Sequence, residues 1–152
     1  MIYRRPLNFD KKADMEEASI LASLAIQMWS EHDLCELTEE FRETIRDKDA
    51  VCFLKYDDGK PVAFAECRLR HDYVEGTSSS PVGYLEGIFV SEEYRKKGYA
   101  AYLLAACETW ATEKGCMEFA SDCELDNTES LKFHLAMGFE ETNRIICFKK
   151  DL

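Results

Sequence analysis

Apolar positions in the first part of the chain recur at helical spacing. Asp14 is a residue type that caps helices, and an apolar stripe follows it as far as Trp29, so the pattern predicts a helix between these two residues. The stripe consists of Ala18, Leu21, Ala22, Ala25, Met28 and Trp29. Thr38, followed by two glutamates, predicts the N-cap of a second helix that has Phe41 and Ile45 on one face.

The period then changes to that of β-strands. Residues 50–56 and 61–69 are rich in β-forming side chains and flank Asp57-Asp58-Gly59-Lys60, which is a hairpin signal. Residues 82–90 predict a third strand of this meander, after a polar loop. Residues 2–6 predict a short strand ahead of the first helix.

The last third of the chain alternates helices and strands. Residues 99–114 predict a helix ended by Gly115, and residues 117–121 predict a strand. Residues 126–138 predict a further helix, and residues 139–149 predict a last strand or hairpin. This order of elements indicates an α/β or α+β fold with a mixed sheet.

Length and composition indicate a packed globular protein. The 152 residues, 46% of them hydrophobic, suit a single domain spanning 1–152. No apolar run approaches the roughly 18–20 residues that cross a bilayer, and the polar start carries no secretory signal. Seven cysteines, odd in number and without a C-x-x-C pair, favour buried thiols in a reducing compartment and give no metal motif. We therefore expect a cytoplasmic protein with no membrane contact.

The net charge of the chain indicates which kinds of molecule it can bind. The formal net charge is −11, with acidic residues along the whole chain. Such a surface repels nucleic acid phosphates and attracts a polycation. We therefore expect no nucleic acid partner.

The clearest candidate for chemistry surrounds Gly98. Arg95-Lys96-Lys97 is the longest basic run of this acidic chain, and it lies between an apolar strand and a helix that begins at Gly98. Glycine lets a ligand approach the backbone closely, and a helix N-terminus offers free N–H groups and a positive dipole end to an anion. The stretch predicts a pyrophosphate site.

The pattern R-x-x-G-x-A from Arg95 to Ala100 resembles the acyl-CoA signature of the GCN5-related N-acetyltransferase (GNAT) superfamily. A second block, N-x-x-S-x-x-F-H-x-x-x-G-F from Asn127 to Phe139, resembles the helix on the CoA side of that superfamily. The resemblance implies a mixed, mostly antiparallel twisted sheet flanked by helices, and acetyl-CoA as the acetyl donor. By this resemblance the donor contacts Ile88, Phe89, Val90, Arg95, Lys96, Lys97, Gly98, Tyr99, Ala100, Ala101 and Asn127.

A closer resemblance covers the chain from about Trp29 to its end. Arg70-His-Asp-Tyr73-Val, Leu85-Glu86-Gly-Ile-Phe-Val90 and Gly138-Phe-Glu-Glu-Thr142 resemble segments of the bacterial aminoglycoside 6′-N-acetyltransferases. This implies a homodimer that acetylates the 6′-amine of aminoglycosides and so confers antibiotic resistance. The implied substrate-binding residues are Trp29, His32, Tyr73, Glu86 and Asp122. Asn143 stands where relatives can carry an acid, and His134 stands where the superfamily often has a tyrosine general acid.

Glu86 is the candidate catalytic residue. A carboxylate inside an apolar strand needs a partner, and a substrate ammonium would supply one. We expect Glu86 to remove the proton of the amine through an ordered water, and the N–H near Ile88 to polarise the thioester oxygen. Cys123 is the alternative, as an acetyl-enzyme nucleophile, although we expect it to be a buried structural thiol.

Other interpretations stay open for several of these residues and for the function. Trp29 is as typical of a core as of a ligand wall, Asp122 can simply end a strand, and the loop residues His32 and Tyr73 can be solvated. The chain could acetylate another small cationic amine, such as a polyamine, or a protein amine. From another class, it could be a non-catalytic acyl-CoA sensor.

Overall fold

The computed structural model describes residues 11–152, with side chains from Lys12 onward; the strand predicted at 2–6 lies outside the described residues. The sheet has the order β1-β2-β3-β4-β5. Its strands are β1 (Lys11–Lys12), β2 (Ala50–Asp57), β3 (Lys60–Arg70), β4 (Val82–Val90) and β5 (Phe119–Ser121). The first four are antiparallel, and β5 runs parallel to β4, so the mixed, mostly antiparallel sheet is confirmed.

The helices differ from the predictions mainly at their ends. They are α1 (Ala18–Ala25), α2 (Leu34–Arg46), α3 (Tyr99–Glu113) and α4 (Thr128–Ala136), with 3-10 turns at Met15–Glu17 and Glu92–Tyr94. Asp14 caps the first 3-10 turn in a capping box with Glu17, and α1 ends before Trp29. The capping box therefore serves a 3-10 turn that leads into α1. Helix α1 itself begins at Ala18, later than a cap at Asp14 predicts, and ends before the apolar stripe does.

The N-cap predicted for the second helix was wrong. Asp33 caps α2, and its carboxylate accepts a hydrogen bond of 3.1 Å from the amide of Glu36. Thr38 lies inside the helix, where its hydroxyl donates to the carbonyl of Leu34 at 2.8 Å. Both side chains can cap, and the bond back to the preceding turn lets a threonine sit within a helix.

Each face of the sheet is covered by helices. Phe64 of β3 is fully buried against α1 and α2, whereas its neighbours Ala63 and Ala65 are buried on the opposite face against α3. Successive side chains of a strand point to opposite faces of the sheet, and here both faces are covered. The sequence of β3 is therefore apolar at nearly every position in its centre.

The last predicted element was also wrong. Residues 139–149 form no strand or hairpin, and we call residues 140–152 the C-terminal tail. Among the residues that the structure describes, none pairs with the tail in a ladder, so its β-type sequence has no partner strand. Within the described part of the chain, no helix is both long and apolar enough to cross a membrane.

Candidate active site

A β-bulge sets the position of Glu86. In the ladder between β3 and β4, Glu66 pairs with Gly87 and Cys67 pairs with Leu85, which leaves Glu86 as the extra residue. A bulge breaks the alternation of a strand and re-aims a side chain. Glu86 therefore lies on the face of α1 and α2, the same face as Gly87.

Trp29 lies directly beside this bulge. Its ring atoms Cζ2 and Cη2 are 3.1 Å from the point where a Cβ of Gly87 would be. The ring also meets Phe64 edge-on, with 6.3 Å between the ring centroids. Glycine at position 87 thus allows the tryptophan, which follows α1, to reach the strand next to Glu86.

A chain of polar contacts links Glu86 to the end of β5. Nε and Nη2 of Arg70 donate to Oε1 of Glu86 at 3.1 and 3.0 Å, and Nη2 also reaches Oε2 at 3.0 Å. The guanidinium stacks 3.4 Å above the ring centroid of Tyr84, whose hydroxyl donates to Asp122. Burial, together with the carboxylate of Asp122, raises the pKa of Tyr84 well above its usual range.

Strands β4 and β5 separate just after this chain of contacts. Their last pair is Leu85 with Ser121; beyond it β4 runs on to Val90, while the chain after Ser121 leaves the sheet. No described strand pairs with this side of β4 between Glu86 and Val90. An extended ligand could add to this free edge as a strand does.

The free edge leads to a turn suited to an anion. Lys96 and Gly98 both have positive φ, at 64° and 83°, and Gly98 is the N-cap of α3 without a side-chain cap. Backbone N–H groups at the start of α3 have no partner within the helix. A Cβ built on Gly98 would meet nothing within 4 Å, so the approach to these groups is open. Together these features are those of an anion site.

His134 lies at the point where β4 and β5 separate. Its Nδ1 is 2.7 Å from the carbonyl oxygen of Ser130, which can only accept, so Nδ1 donates this hydrogen bond. Its Nε2 is 2.8 Å from Oγ of Ser121 and can accept the proton of that hydroxyl. The ring is therefore tied to the last residue of β5 and also meets Phe139 edge-on at 5.1 Å.

Comparison with known proteins identifies the family. The family model described as "Acetyltransferase (GNAT) family" matches residues 18–139. The chain belongs to the GNAT family. It is 40% identical over 143 residues to an aminoglycoside N(6′)-acetyltransferase type 1 of Stenotrophomonas maltophilia, covering 93% of this chain and 92% of that one. An enzyme of the same name from Salmonella typhimurium is 44% identical over 124 residues, covering 82% and 86%.

Solved structures agree with this assignment. AAC(6′)-Iy in complex with a bisubstrate analogue, CoA-S-monomethyl-acetylneamine, has a TM-score of 0.89 and 39% identity over 93% of this chain and 97% of that one. AAC(6′)-Iy in complex with CoA has a TM-score of 0.91 and 38% identity over 98% and 99%. AAC(6′)-Ih from Acinetobacter baumannii has a TM-score of 0.88 and 39% identity over 93% and 97%.

The predicted substrate residues of this GNAT chain form two groups. Trp29 lies beside the bulge that carries Glu86, and the ring of the exposed His32 is 6.3 Å from that of Trp29. Tyr73, which is 77% exposed, and Asp122 line a separate large cavity. The Arg70–Tyr84 stack connects the two groups.

The predicted donor residues lie one after another along the free edge of β4 and the turn that follows it. Ile88, Phe89 and Val90 lie on the free stretch of β4. The basic residues 95–97 are exposed, and two of them have partners within the protein. Nε of Arg95 donates to the carbonyl of Val90 at 3.0 Å, and Nζ of Lys97 is 3.9 Å from Oδ2 of Asp57. Lys96, Tyr99, Ala100 and Ala101 lie in the turn and the first turn of α3.

Asn127 caps α4, because its Oδ1 accepts a hydrogen bond of 3.1 Å from the amide of Ser130. The cap uses the side-chain oxygen and not the amide nitrogen. Cys123, for which a buried position was expected, is exposed, because the segment after β5 runs along the surface.

Sequence reasoning missed Arg70 and Tyr84 as members of the site. Tyr84 precedes Glu86 by two positions on the same strand, so alternation could have placed both side chains on one face. Arg70 gave no such signal, because its contact with Glu86 depends on the register of two strands. Asn143 also gained a partner that the sequence did not suggest: its amide donates to Oε1 of Glu75 at 2.8 Å.

Proposed function

We propose that this chain is a cytoplasmic enzyme that transfers the acetyl group of acetyl-CoA directly to the 6′-amine of aminoglycosides and so confers resistance. One observation carries the proposal: the free edge of β4 joins a carboxylate-bearing bulge to an open helix N-terminus. The two ends suit a cationic acceptor and an anionic donor. The relatives bearing the name of this activity are about 40% identical over most of the chain.

The donor residues fit acetyl-CoA in chemistry. The amides from Lys96 to Ala101 would hold its pyrophosphate, where the open approach over Gly98 and the helix dipole favour an anion. The backbone of Ile88, Phe89 and Val90 would hold the pantetheine arm at the free edge of β4, with the amide of Asn127 nearby. When bound, acetyl-CoA supplies an acetyl group activated as a thioester.

The acceptor residues fit a polycation with many hydroxyls. Carboxylates can bind ammonium groups, and aromatic rings can cover the sugar faces. We assign these roles to Glu86 and Asp122, and to Trp29, Tyr73 and His32. The net charge of −11 adds a field that concentrates cations near the surface. Glu75, held by Asn143, is a further carboxylate at the tail, where relatives can carry an acid on the tail itself.

The chain's own groups can handle the protons of the transfer. Glu86 accepts the proton of the amine, and for this the amine must compete with Arg70, which now engages both carboxylate oxygens. The N–H near Ile88 polarises the acyl oxygen. The C–S bond of the thioester breaks as the new C–N bond forms, and the hydroxyl of Ser121, hydrogen-bonded to His134 where β4 and β5 separate, would protonate the departing thiolate.

The test is a panel of amines assayed for release of CoA. It pairs an aminoglycoside that has a 6′-amine with its 6′-hydroxyl analogue, and adds a polyamine and a lysine-rich peptide. We expect turnover with the first compound and none with its hydroxyl analogue. Equal turnover of the pair would refute the 6′ position, and turnover of the polyamine or the peptide alone would indicate the alternative substrates. Binding of acetyl-CoA without any turnover would indicate a sensor.

A further inference from the structure

Arg70 reaches Glu86 from a distance along the sheet. In the ladder between β3 and β4, Arg70 lies opposite Val82, and Glu86 is four positions further along β4. At about 3.3 Å per residue, this separation is roughly 13 Å of strand. The side chain of Arg70 therefore extends along the sheet and across Tyr84, which places its guanidinium at the bulge.

Tyr84 gives this guanidinium a fixed support. The tyrosine is only 6% exposed, and its hydroxyl donates to Asp122, so the ring is held at both ends. Its apolar neighbours are Val74, Val82 and Ala120. The guanidinium carbon of Arg70 lies 3.4 Å above the ring centroid, which is van der Waals contact, and the flat faces of the two groups attract each other. The position of the guanidinium is thus determined before any ligand binds.

The hydrogen bonds from Arg70 are unequal at the two oxygens of Glu86. Oε1 accepts from Nε at 3.1 Å and from Nη2 at 3.0 Å, whereas Oε2 accepts from Nη2 alone, at 3.0 Å. Each oxygen of an ionised carboxylate has two acceptor sites. Within the described part of the chain no other group donates to Glu86, so the open site is on Oε2. Arg70 thus decides which oxygen can take a proton from the acceptor.

This contact fixes an angle as well as a charge. Any nearby cation would balance the charge of Glu86. A planar guanidinium that bonds through two of its nitrogens also sets the orientation of the carboxylate. A general base must lie within about 2.6–3.2 Å of the group whose proton it takes, so its orientation matters as much as its charge. The supported guanidinium is therefore suited to hold Glu86 in one orientation.

We propose that Arg70 is a positioning residue of the transfer: supported by Tyr84, it holds the carboxylate of Glu86 so that Oε2 faces the amine. The inference rests on the proposed function and assigns a role within it. Arg70 stays on Oε1 throughout, so the amine competes with it only at Oε2. The N–H bond of the amine breaks and its proton passes to Oε2 through the ordered water, while the guanidinium, which is always protonated, gives up no proton.

The test compares kcat and KM of Arg70 variants with those of the wild type. The acceptor is whichever amine of the panel the wild type turns over fastest, so the result does not depend on the identity of the acceptor. Arg70→Ala should lower kcat about 10- to 100-fold, because a misplacement of about 1 Å can cost about 100-fold. KM for the amine should stay the same or fall, because a competing cation is gone. Arg70→Lys keeps the charge but not the contact through two nitrogens, and it should lose kcat as well.

Two readouts separate orientation from a general loss of structure. Ethylguanidinium added to Arg70→Ala should restore part of kcat, whereas tetramethylammonium, of equal charge, should not. In a Glu86→Gln background Arg70→Ala should lower kcat no further, because a residue that acts through Glu86 has no effect once the base is absent. Arg42→Ala is the matched control: Arg42 pairs with Glu39 on α2, and its side chain is 39% exposed, against 41% for Arg70. Its kcat should equal that of the wild type, with or without ethylguanidinium.

An unchanged kcat in Arg70→Ala overturns the positioning role, and a rise in KM alone would make Arg70 a contact of the acceptor. Equal rescue by both cations would make it a counter-charge only, and an equal loss of kcat with and without Glu86 would show that it does not act through that residue. If Arg70→Ala fails to fold, Arg70→Lys decides, because a wild-type kcat in that variant overturns the role. Failure of the proposed function is a separate result: the wild type itself then turns over no aminoglycoside. A wild type that acetylates no amine at all would overturn both.

Discussion

Replacing Glu86 by glutamine tests whether this residue joins substrate binding to chemistry. Glu86→Gln keeps the shape of the side chain and one acceptor for Arg70, but removes the charge and the basicity. It also leaves the charge of Arg70 uncompensated, 3.0 Å from the position of the former carboxylate. A polycation would then meet a positive charge where it now meets an ion pair.

The structure sets the size of the effect. The Glu86 side chain is 24% exposed, so its environment lies between water and a protein interior. Opposite charges 4 Å apart gain about 4 kcal/mol at an effective dielectric constant near 20. Competition from Arg70 reduces this toward the about 1.5–3 kcal/mol of a hydrogen bond to a charged group. We therefore expect kcat/KM to fall about 10- to 150-fold if Glu86 only binds the ammonium.

If Glu86 is also the general base, its loss should change kcat as well as KM. Loss of a general base lowers kcat by about 10²–10⁴-fold, whereas loss of a binding partner raises KM and leaves kcat near that of the wild type. The assay is the pH profile of kcat and KM with one aminoglycoside. The double variant Arg70→Gln/Glu86→Gln removes both charges. Because it relieves only the repulsion from Arg70, it should recover part of the change in KM and none of the loss in kcat.

Asp47→Asn is the matched control for Glu86→Gln. Asp47 follows α2 and pairs with Arg68 at 2.9 Å, on the same strand as Arg70, whereas Glu86 pairs with Arg70 itself. Its loss should leave both kinetic constants unchanged. If Glu86→Gln matches the wild type in kcat and KM while remaining folded, then Glu86 is structural, and the position proposed for the substrate is wrong.

Four further variants test other parts of the site and the fold. Gly98→Glu and Gly115→Glu both force a side chain into positive φ at open positions at the two ends of α3, at about 1–2 kcal/mol each. Only Gly98→Glu should weaken acetyl-CoA binding by calorimetry, at least about fivefold, because like charges 4 Å apart cost about 1–4 kcal/mol. Asn127→Asp should keep the cap and the melting temperature but raise KM for acetyl-CoA; an unchanged KM would make Asn127 only a cap. Burial raises the pKa of Glu66 above its ordinary 4.5, so the folded state holds this proton more tightly and loses stability as pH rises through the folded pKa. Glu66→Gln should therefore raise the melting temperature at pH 7, with a gain that shrinks at acidic pH; an equal shift at both pH values would refute this.

Local signals in the sequence were enough to predict most of the strands and helices. The meander was predicted because alternation and the Asp-Gly hairpin turn are properties of neighbouring residues, and Asp58 and Gly59 do take positive φ. The Gly98 turn was predicted for the same reason. The cap of α2 was not, because Asp33 and Thr38 are both competent caps and packing chose between them.

Contacts that depend on strand register could not be predicted from the sequence. The pairing of Arg70 with Glu86 requires a bulge whose place in the ladder no single strand reveals. In the tail, a local sequence signal predicted a strand that the structure does not contain. Its sequence has the composition of a strand, yet a strand needs a partner, and no described residue supplies one.

The free stretch of β4 would also set how far the proposed acyl donor reaches into the site. At about 3.3 Å per residue, the backbone from Glu86 to Val90 spans about 13 Å, and hydrogen bonds to β3 along the other edge keep that length fixed. In the proposed complex, a donor anchored by its anion at the Gly98 turn would deliver its acyl carbon at a set distance from the bulge. The backbone of β4 would then limit the length of the acyl group, and the side chains around Trp29 would be free to vary with the acceptor.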